Sequence, residues 1–335
     1  MAIRVGVNGF GRIGRNYLRA ALNRSDVEVV AINDVGSPET NAHLFKYDST
    51  HGVWGESVSV RAGVLAIGDR SIATLAQRQP SSLPWGELGV DVVIESTGIF
   101  TTRDAAAQHL EAGAKRVIVS APCSDADATF VVGVNDDTYD PDQHFVISNA
   151  SCTTNCFVPM VKVLDDALGV EAGLMTTVHA YTNDQNLLDL AHGDLRRARA
   201  AAVNIVPSTT GAARATSLVL AAMKGRLDGA SLRVPVADGS ITDFTAVVRT
   251  TSVEEINEAF RAAAAGRLAG VVRYCDEPIV SSDIVGCPAS CTFDSLLTMV
   301  QRIDGAHSLV KVFGWYDNEW GYSSRLVDLT LIVGR

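Results

Sequence analysis

Gly9-Phe10-Gly11-Arg12-Ile13-Gly14 follows the apolar run Arg4–Val7 and leads into Arg15–Ala21, a segment of helical character. A second β-rich run, Val27–Ile32, ends at Asn33-Asp34, and Asp34 stands twenty residues beyond Gly14. Gly-x-Gly-x-x-Gly between a strand and a helix, with an acidic residue at that distance, is the fingerprint of a dinucleotide-binding βαβ unit. Gly9, Gly11 and Gly14 let the backbone approach a pyrophosphate, which rests on the N-terminus of the helix. Asp34 is placed to bind the adenosine ribose hydroxyls. Its charge repels a 2′-phosphate, so NAD is expected over NADP.

The first half repeats this alternation. Asp91–Glu95, Arg116–Ser120 and Phe145–Ile147 read as short strands and Asp104–Ala112 as a helix. Strands alternating with helices build a parallel sheet with crossover helices. The second half changes character. Leu174–Val178 is followed by a long polar stretch, Tyr181–Arg199. Alternating segments then appear at Ser231–Pro235, Ser240–Arg249, Ser290–Met299 and Leu309–Gly314, with a helical pattern over Val253–Ala265. The expected class is α/β: a Rossmann-type parallel-sheet domain over residues 1–150, then an α+β domain with a mixed or antiparallel sheet over 151–318.

The 335 residues suit about two domains. Hydrophobic content of 47% with 20% charged residues is that of a folded chain, and the net charge of −10 argues against nucleic acid or an acidic membrane as partner. No run of about 18 apolar residues occurs, so no membrane span is expected. Met1–Val7 runs straight into a strand with no charged-then-apolar leader, so no secretory signal is expected. The six cysteines, at 123, 152, 156, 275, 287 and 291, are irregularly spaced, without Cys-x-x-Cys or zinc spacing. They read as reduced thiols in the cytoplasm, with no metal site.

Cys152 lies in Ser148-Asn149-Ala150-Ser151-Cys152-Thr153-Thr154-Asn155-Cys156, between the Phe145–Ile147 strand and apolar residues at 157, 160, 161, 164 and 168. That spacing is helical, and Ser151 suits the N-cap, so Cys152 opens a helix. The helix dipole and the uncapped backbone N–H groups there favour the thiolate, the form that attacks carbon. Cys156, one turn on, reads as packing. A dinucleotide domain followed by an activated cysteine points to thiol addition to an aldehyde, hydride transfer to nicotinamide and a thioester. That scheme needs a base. Of the seven histidines, His179 alone ends a core strand soon after the nucleophile.

The whole chain resembles the phosphorylating glyceraldehyde-3-phosphate dehydrogenase family. The resemblance is carried by Asn8–Arg15, Leu44–Ser49, Ser96–Phe100, Ser148–Cys156, His179–Thr182, Asp194–Ala201, Asn204–Ala213, Leu232–Pro235 and Trp315–Tyr322. It implies Cys152 as nucleophile and His179 as the residue that activates the thiol, takes the hydroxyl proton and steadies the tetrahedral oxygen. It implies Ser151, Thr153, Thr182, Arg197, Thr210, Gly211 and Arg233 for glyceraldehyde 3-phosphate and inorganic phosphate. It implies Arg12, Ile13, Asp34, Arg78, Ser120 and Asn318 as NAD contacts. Arginines with hydroxyl and backbone donors suit phosphates. Thr210-Gly211 precedes a helical stretch, and Arg233 interrupts an apolar strand where an unpaired charge is costly. The resemblance also implies a cytoplasmic homotetramer with the 181–201 loop at subunit contacts, and a C-terminal helix, about residues 319–335, that returns to the first domain.

The chain departs from the family pattern in places. Leu190-Ala191 stands where many NAD-dependent members read Gly-Pro or Leu-Pro, and Val35-Gly36 follows Asp34, with a glycine found in NADP-tolerant relatives. With Asp34 present, NAD preference with some NADP use is expected. Gly193 and Cys123 also differ from the usual residues, as would fit an isoform with altered sensitivity to thiol-reactive inhibitors. Two other readings stay open: erythrose-4-phosphate dehydrogenase activity on the same machinery, and a redox-sensing or scaffolding role for Cys152.

Overall fold

The computed structural model describes residues 1–335. They form two compact units, Met1–Val132 with Asp136–Ala150 and Ser323–Arg335, and Gly133–Asn135 with Ser151–Tyr322.

The sheet of the first unit has nine strands, in the order Ala128–Thr129, Val146–Ser148, Arg116–Val119, Val92–Glu95, Ile3–Asn8, Val27–Asn33, Arg70–Leu75, Val64–Ile67 and Val58–Arg61. It is parallel from Ala128–Thr129 to Arg70–Leu75, as the alternation of strands and helices predicts. The last two strands run antiparallel, which the alternation did not predict. Their hairpin turn is Ala62-Gly63, at φ 49° and 77°; two successive left-handed residues make the tight turn that matches strand twist. The central strands bury Val5, Val7, Val92, Val93, Ile94, Val117 and Ile118 completely, the near-continuous apolar content of a parallel sheet's core. The helix Arg103–Glu111, capped by Thr102, buries Ala106 against Val117, Val119 and Val146. The C-terminal segment is tied into this unit by Tyr17 Oη against Thr330 Oγ1 at 2.9 Å and by Tyr139, whose hydroxyl donates to Val333 O at 3.1 Å.

The second unit holds an eight-stranded mixed sheet. Val170–Ala180 is central, parallel to Leu227–Val234 and antiparallel to Ser240–Arg249, which in turn pairs antiparallel with His307–Tyr316. The helix Cys152–Leu168 packs on this sheet, with Phe157 edge-on to Phe244 at 4.9 Å between centroids. Val253–Ala265 is a helix with the reciprocal Ser252–Glu255 capping box, and Phe260 stacks on Phe293 at 3.8 Å. Ser290–Met299, expected as one strand, breaks into Cys291–Asp294 and Met299–Arg302 around a single turn of 3-10 helix. Asp294 causes the break by accepting from Leu296 N–H at 3.2 Å, a local bond that outcompetes extended pairing. No helix is long and apolar enough to cross a membrane.

Candidate active site

In the first unit the three fingerprint glycines answer to different constraints. Gly9 has φ +91°, and a Cβ there would meet Thr97 N at 2.6 Å. A Cβ at Gly14 would lie 2.1 Å from Gly9 O, so helix and loop touch backbone to backbone. A Cβ at Gly11 would meet nothing within 4 Å. Gly11 is the N-cap of the helix Arg12–Ala21 and brings no side-chain cap, so the helix start faces open space. That cradle fits a pyrophosphate.

Asp34 Oδ2 accepts from Phe10 N–H at 2.8 Å and Oδ1 accepts from Gly36 N–H at 2.7 Å, which pins the carboxylate beside the loop. Arg12 donates to Asp48 at 2.5 Å. Burial raises the Asp48 carboxyl, but Arg12 and the N–H groups of His51 and Thr50 outweigh it and bring it down to about 2. Ile13 is half-buried in the first turn of the helix, Arg78 is exposed beyond the strand Arg70–Leu75, and Ser120 is half-buried with its N–H on Glu95 O at 2.9 Å.

In the second unit Ser151 caps the helix, its Oγ accepting from Thr154 N–H at 3.1 Å. Cys152 Sγ lies 3.4 Å from His179 Nε2. His179 Nδ1 lies 2.6 Å from Ala180 O, which only accepts, and 3.2 Å from Arg233 Nη1, which only donates; the shorter contact puts the proton on Nδ1, so Nε2 turns its lone pair to the sulfur. The register sets His179 opposite Arg233 on the parallel neighbour strand. Arg233 Nη1 donates to Ala180 O and to Thr182 Oγ1, each at 3.3 Å. Strand, register and helix start thus gather Cys152, His179, Arg233 and Thr182.

The electrostatics differ from the sequence expectation of a thiolate favoured by the helix start alone. Cys152 is half-buried, yet burial pushes its thiol up, against Arg233 and the Thr153 donors. Burial, then Arg233, push His179 down to about 3. Ionising either group alone is therefore costly. Moving the proton from Sγ to Nε2 creates both charges together, and at an effective dielectric of about 20 unit charges at this separation attract by about 5 kcal/mol.

The remaining expected phosphate ligands have contacts of their own, and Arg197 is close enough to Arg233 to act on its charge. Thr153 Oγ1 bonds Tyr316 Oη at 2.9 Å. Arg197 is held by Asp184 at 2.5 Å and by Asp194 at 3.4 Å. Thr210 and Gly211 lie at the start of the helix Ala212–Val219, where Thr210 Oγ1 accepts from Ala212 N–H at 3.2 Å. Arg199 pairs on the surface with Asp189. Cys156 is fully buried against Met160, as its helical position predicts.

Three residues escaped the reading of the sequence. Tyr316 bonds both Thr153 and, at 2.7 Å, Thr177, and sets its ring against His179 with centroids 5.9 Å apart. Ser240 accepts from Ala180 N–H at 3.1 Å and donates to Asn318 Oδ1 at 2.8 Å, joining the His179 strand to Asn318. Asp184 neutralises Arg197. The only signal was a hydroxyl or carboxylate at a strand end or in a loop, which is common.

Two family models match the chain: "Glyceraldehyde 3-phosphate dehydrogenase, NAD binding domain" over residues 3–103 and "Glyceraldehyde 3-phosphate dehydrogenase, C-terminal domain" over residues 151–318. Among similar proteins, glyceraldehyde-3-phosphate dehydrogenase 2 of Streptomyces avermitilis is 58% identical over 100% of this chain and 99% of its own. The Mycobacterium avium glyceraldehyde-3-phosphate dehydrogenase is 57% identical over 100% and 99%, and that of Geobacillus stearothermophilus 56% over 99% and 98%.

Proposed function

The chain belongs to the glyceraldehyde-3-phosphate dehydrogenase family, and we propose that it converts D-glyceraldehyde 3-phosphate, inorganic phosphate and NAD into 1,3-bisphosphoglycerate and NADH. The observation that carries the mechanism is the 3.4 Å approach of Cys152 Sγ to a His179 Nε2 whose partner nitrogen lies nearer to Ala180 O than to Arg233 Nη1. Nε2 takes the thiol proton as Sγ bonds the aldehyde carbon, passes it to the carbonyl oxygen, and takes the hydroxyl proton again when that carbon is oxidised. NAD, when bound, supplies the hydride acceptor. Phosphate then attacks the thioester, and Sγ leaves as a thiolate that Arg233 and the helix start stabilise. A thioester keeps oxidation energy available for acyl transfer, which an oxygen ester would do less well, so cysteine is required.

Gly9, Gly11, Gly14, Arg12, Ile13, Asp34, Arg78, Ser120 and Asn318 hold the dinucleotide in this reading. Ser151, Thr153, Thr182, Arg197, Thr210, Gly211 and Arg233 hold the two phosphates, with Arg197 exchanging Asp184 for an anion. Asp34 makes NAD the preferred cofactor, with measurable NADP use because Gly36 and Ala191 are small. The protein acts in glycolysis or gluconeogenesis as a cytoplasmic homotetramer. Leu187, Leu188, Leu190 and Leu195, exposed on the 181–200 loop, support an interface there, and the free thiols suit a reducing compartment.

The deciding assay follows NADH with glyceraldehyde 3-phosphate, with and without inorganic phosphate, against erythrose 4-phosphate. Phosphate-dependent NADH favouring the three-carbon substrate is expected. A preference for erythrose 4-phosphate, or turnover indifferent to phosphate, overturns the reading.

A further inference from the structure

Glu95 is a carboxylate at the end of the fully buried strand Val92–Glu95, and the chemistry above does not use it. Its oxygens are surrounded by donors from three parts of the first unit. Asn8 Nδ2 donates to Oε2 at 2.5 Å and His109 Nε2 lies 3.0 Å from the same oxygen. Oε1 accepts from Thr97 N–H at 2.8 Å and from the Thr97 hydroxyl.

The orientations of Asn8 and His109 are forced from outside. Gln77 N–H donates to Asn33 Oδ1 at 2.8 Å and Asn33 Nδ2 donates to Gln77 O at 2.9 Å, which fixes the Asn33 amide. Asn33 Nδ2 also donates to Asn8 Oδ1 at 2.7 Å, which leaves Asn8 Nδ2 to face Glu95. The Trp85 indole N–H donates to His109 Nδ1 at 2.9 Å, so the imidazole proton sits on Nε2, pointed at Glu95. Asn8, Asn33, Glu95 and His109 are buried, so each bond lost there leaves an unsatisfied group.

What the carboxylate holds borders the cradle. Thr97 N and the Ser96 backbone are the atoms a Cβ at Gly9 would strike, and Ser96 Oγ donates to Gly9 O at 2.7 Å. The turn continues through Gly98, at φ +73°, and Ile99, whose N–H donates to Thr97 Oγ1 at 3.1 Å.

We propose that Glu95 is a positioning residue for the dinucleotide: its carboxylate, aimed by His109 and Asn8, clamps Thr97 and so fixes the Ser96–Gly98 turn against the glycine loop. This rests on the reading of the cradle as an NAD site. Glu95→Gln keeps the shape but turns one of its two acceptors into a donor among donors. Two of the four bonds to the clamp are lost.

The test measures NAD binding to the purified protein by titration calorimetry, alongside steady-state kinetics and the thermal unfolding midpoint. Glu95→Gln is expected to weaken the Kd for NAD at least about tenfold and raise the KM for NAD to match. The KM for glyceraldehyde 3-phosphate should stay within about twofold. Thr97→Val, a milder change that keeps the backbone bond, should weaken NAD binding about threefold, and Thr97→Ser, which restores the hydroxyl, should recover it. A lowered unfolding midpoint with an unchanged Kd for NAD in Glu95→Gln makes the network scaffolding only and overturns the proposal. If Glu95→Gln does not fold, the Thr97→Val and Thr97→Ser pair decides: equal Kd values overturn it. Failure of the wild-type protein to bind NAD sinks the functional reading instead.

Discussion

Nδ1 of His179 sits 2.6 Å from the carbonyl oxygen of Ala180, nearer than the 3.2 Å to Arg233 Nη1, and this contact leaves the lone pair of Nε2 facing Cys152. The base is aimed by its own neighbour's backbone, with no carboxylate standing behind it. Losing the imidazole should cost the rate the usual span for a general base, about 10²–10⁴-fold in kcat for His179→Asn. The same variant removes the proton acceptor of the thiol, so its iodoacetamide alkylation profile should move to higher pH. A profile superimposable on wild type shows that the imidazole does not share the thiol proton.

Cys152→Ser should abolish phosphate-dependent NADH formation, because an alkoxide in this buried pocket is costlier to form than a thiolate and an oxygen ester is a poorer acyl donor. Turnover near the wild-type rate in the serine variant excludes the thioester route.

Ser240 is a two-way bridge between Ala180 N–H and Asn318 Oδ1. Ser240→Ala leaves both partners without it, at about 1–3 kcal/mol for each buried group left unpaired. A lower thermal midpoint and a kcat/KM for NAD reduced about tenfold are expected. A lower midpoint with unaltered kcat/KM restricts the bridge to stability.

Asp34 is pinned by two backbone donors, so its charge stays fixed at the place proposed for the adenosine ribose. Asp34→Asn should lower kcat/KM for NAD about tenfold or more and raise the ratio of NADP to NAD use. Wild-type kcat/KM that is equal or better with NADP refutes the role given to this carboxylate.

Asp48 is held at about 2 in the folded protein against an ordinary value of 3.8. A depressed carboxyl binds its proton less readily folded than unfolded, so its contribution is fully present above 3.8 and fades as pH falls toward 2. After allowance for solvent screening it is on the order of 1 kcal/mol. Asp48→Asn should unfold at lower temperature than wild type near neutrality, and the gap should narrow as pH drops through that window. A gap independent of pH means that Asp48 acts through packing and not through its charge on Arg12.

The amino-acid order alone carried the parallel-sheet unit, because a glycine turn between strand and helix leaves few alternatives. It also placed Cys152 at a helix start, because Ser151 and the apolar spacing behind it are local signals, and it delimited Ser240–Arg249 and Val253–Ala265 with the bounds observed. The hairpin at Ala62-Gly63 and the break after Asp294 were just as local, but rest on single side-chain or turn contacts that hydrophobic periodicity does not register. Only the tertiary structure decided what surrounds the sulfur. Arg233 reaches His179 across 54 residues because two strands pair in one register and not another. Tyr316 meets Thr153 across 163 residues, and Glu95 meets Asn8 across 87. Such polar contacts depend on which strand ends are brought together, and no spacing along the chain encodes that.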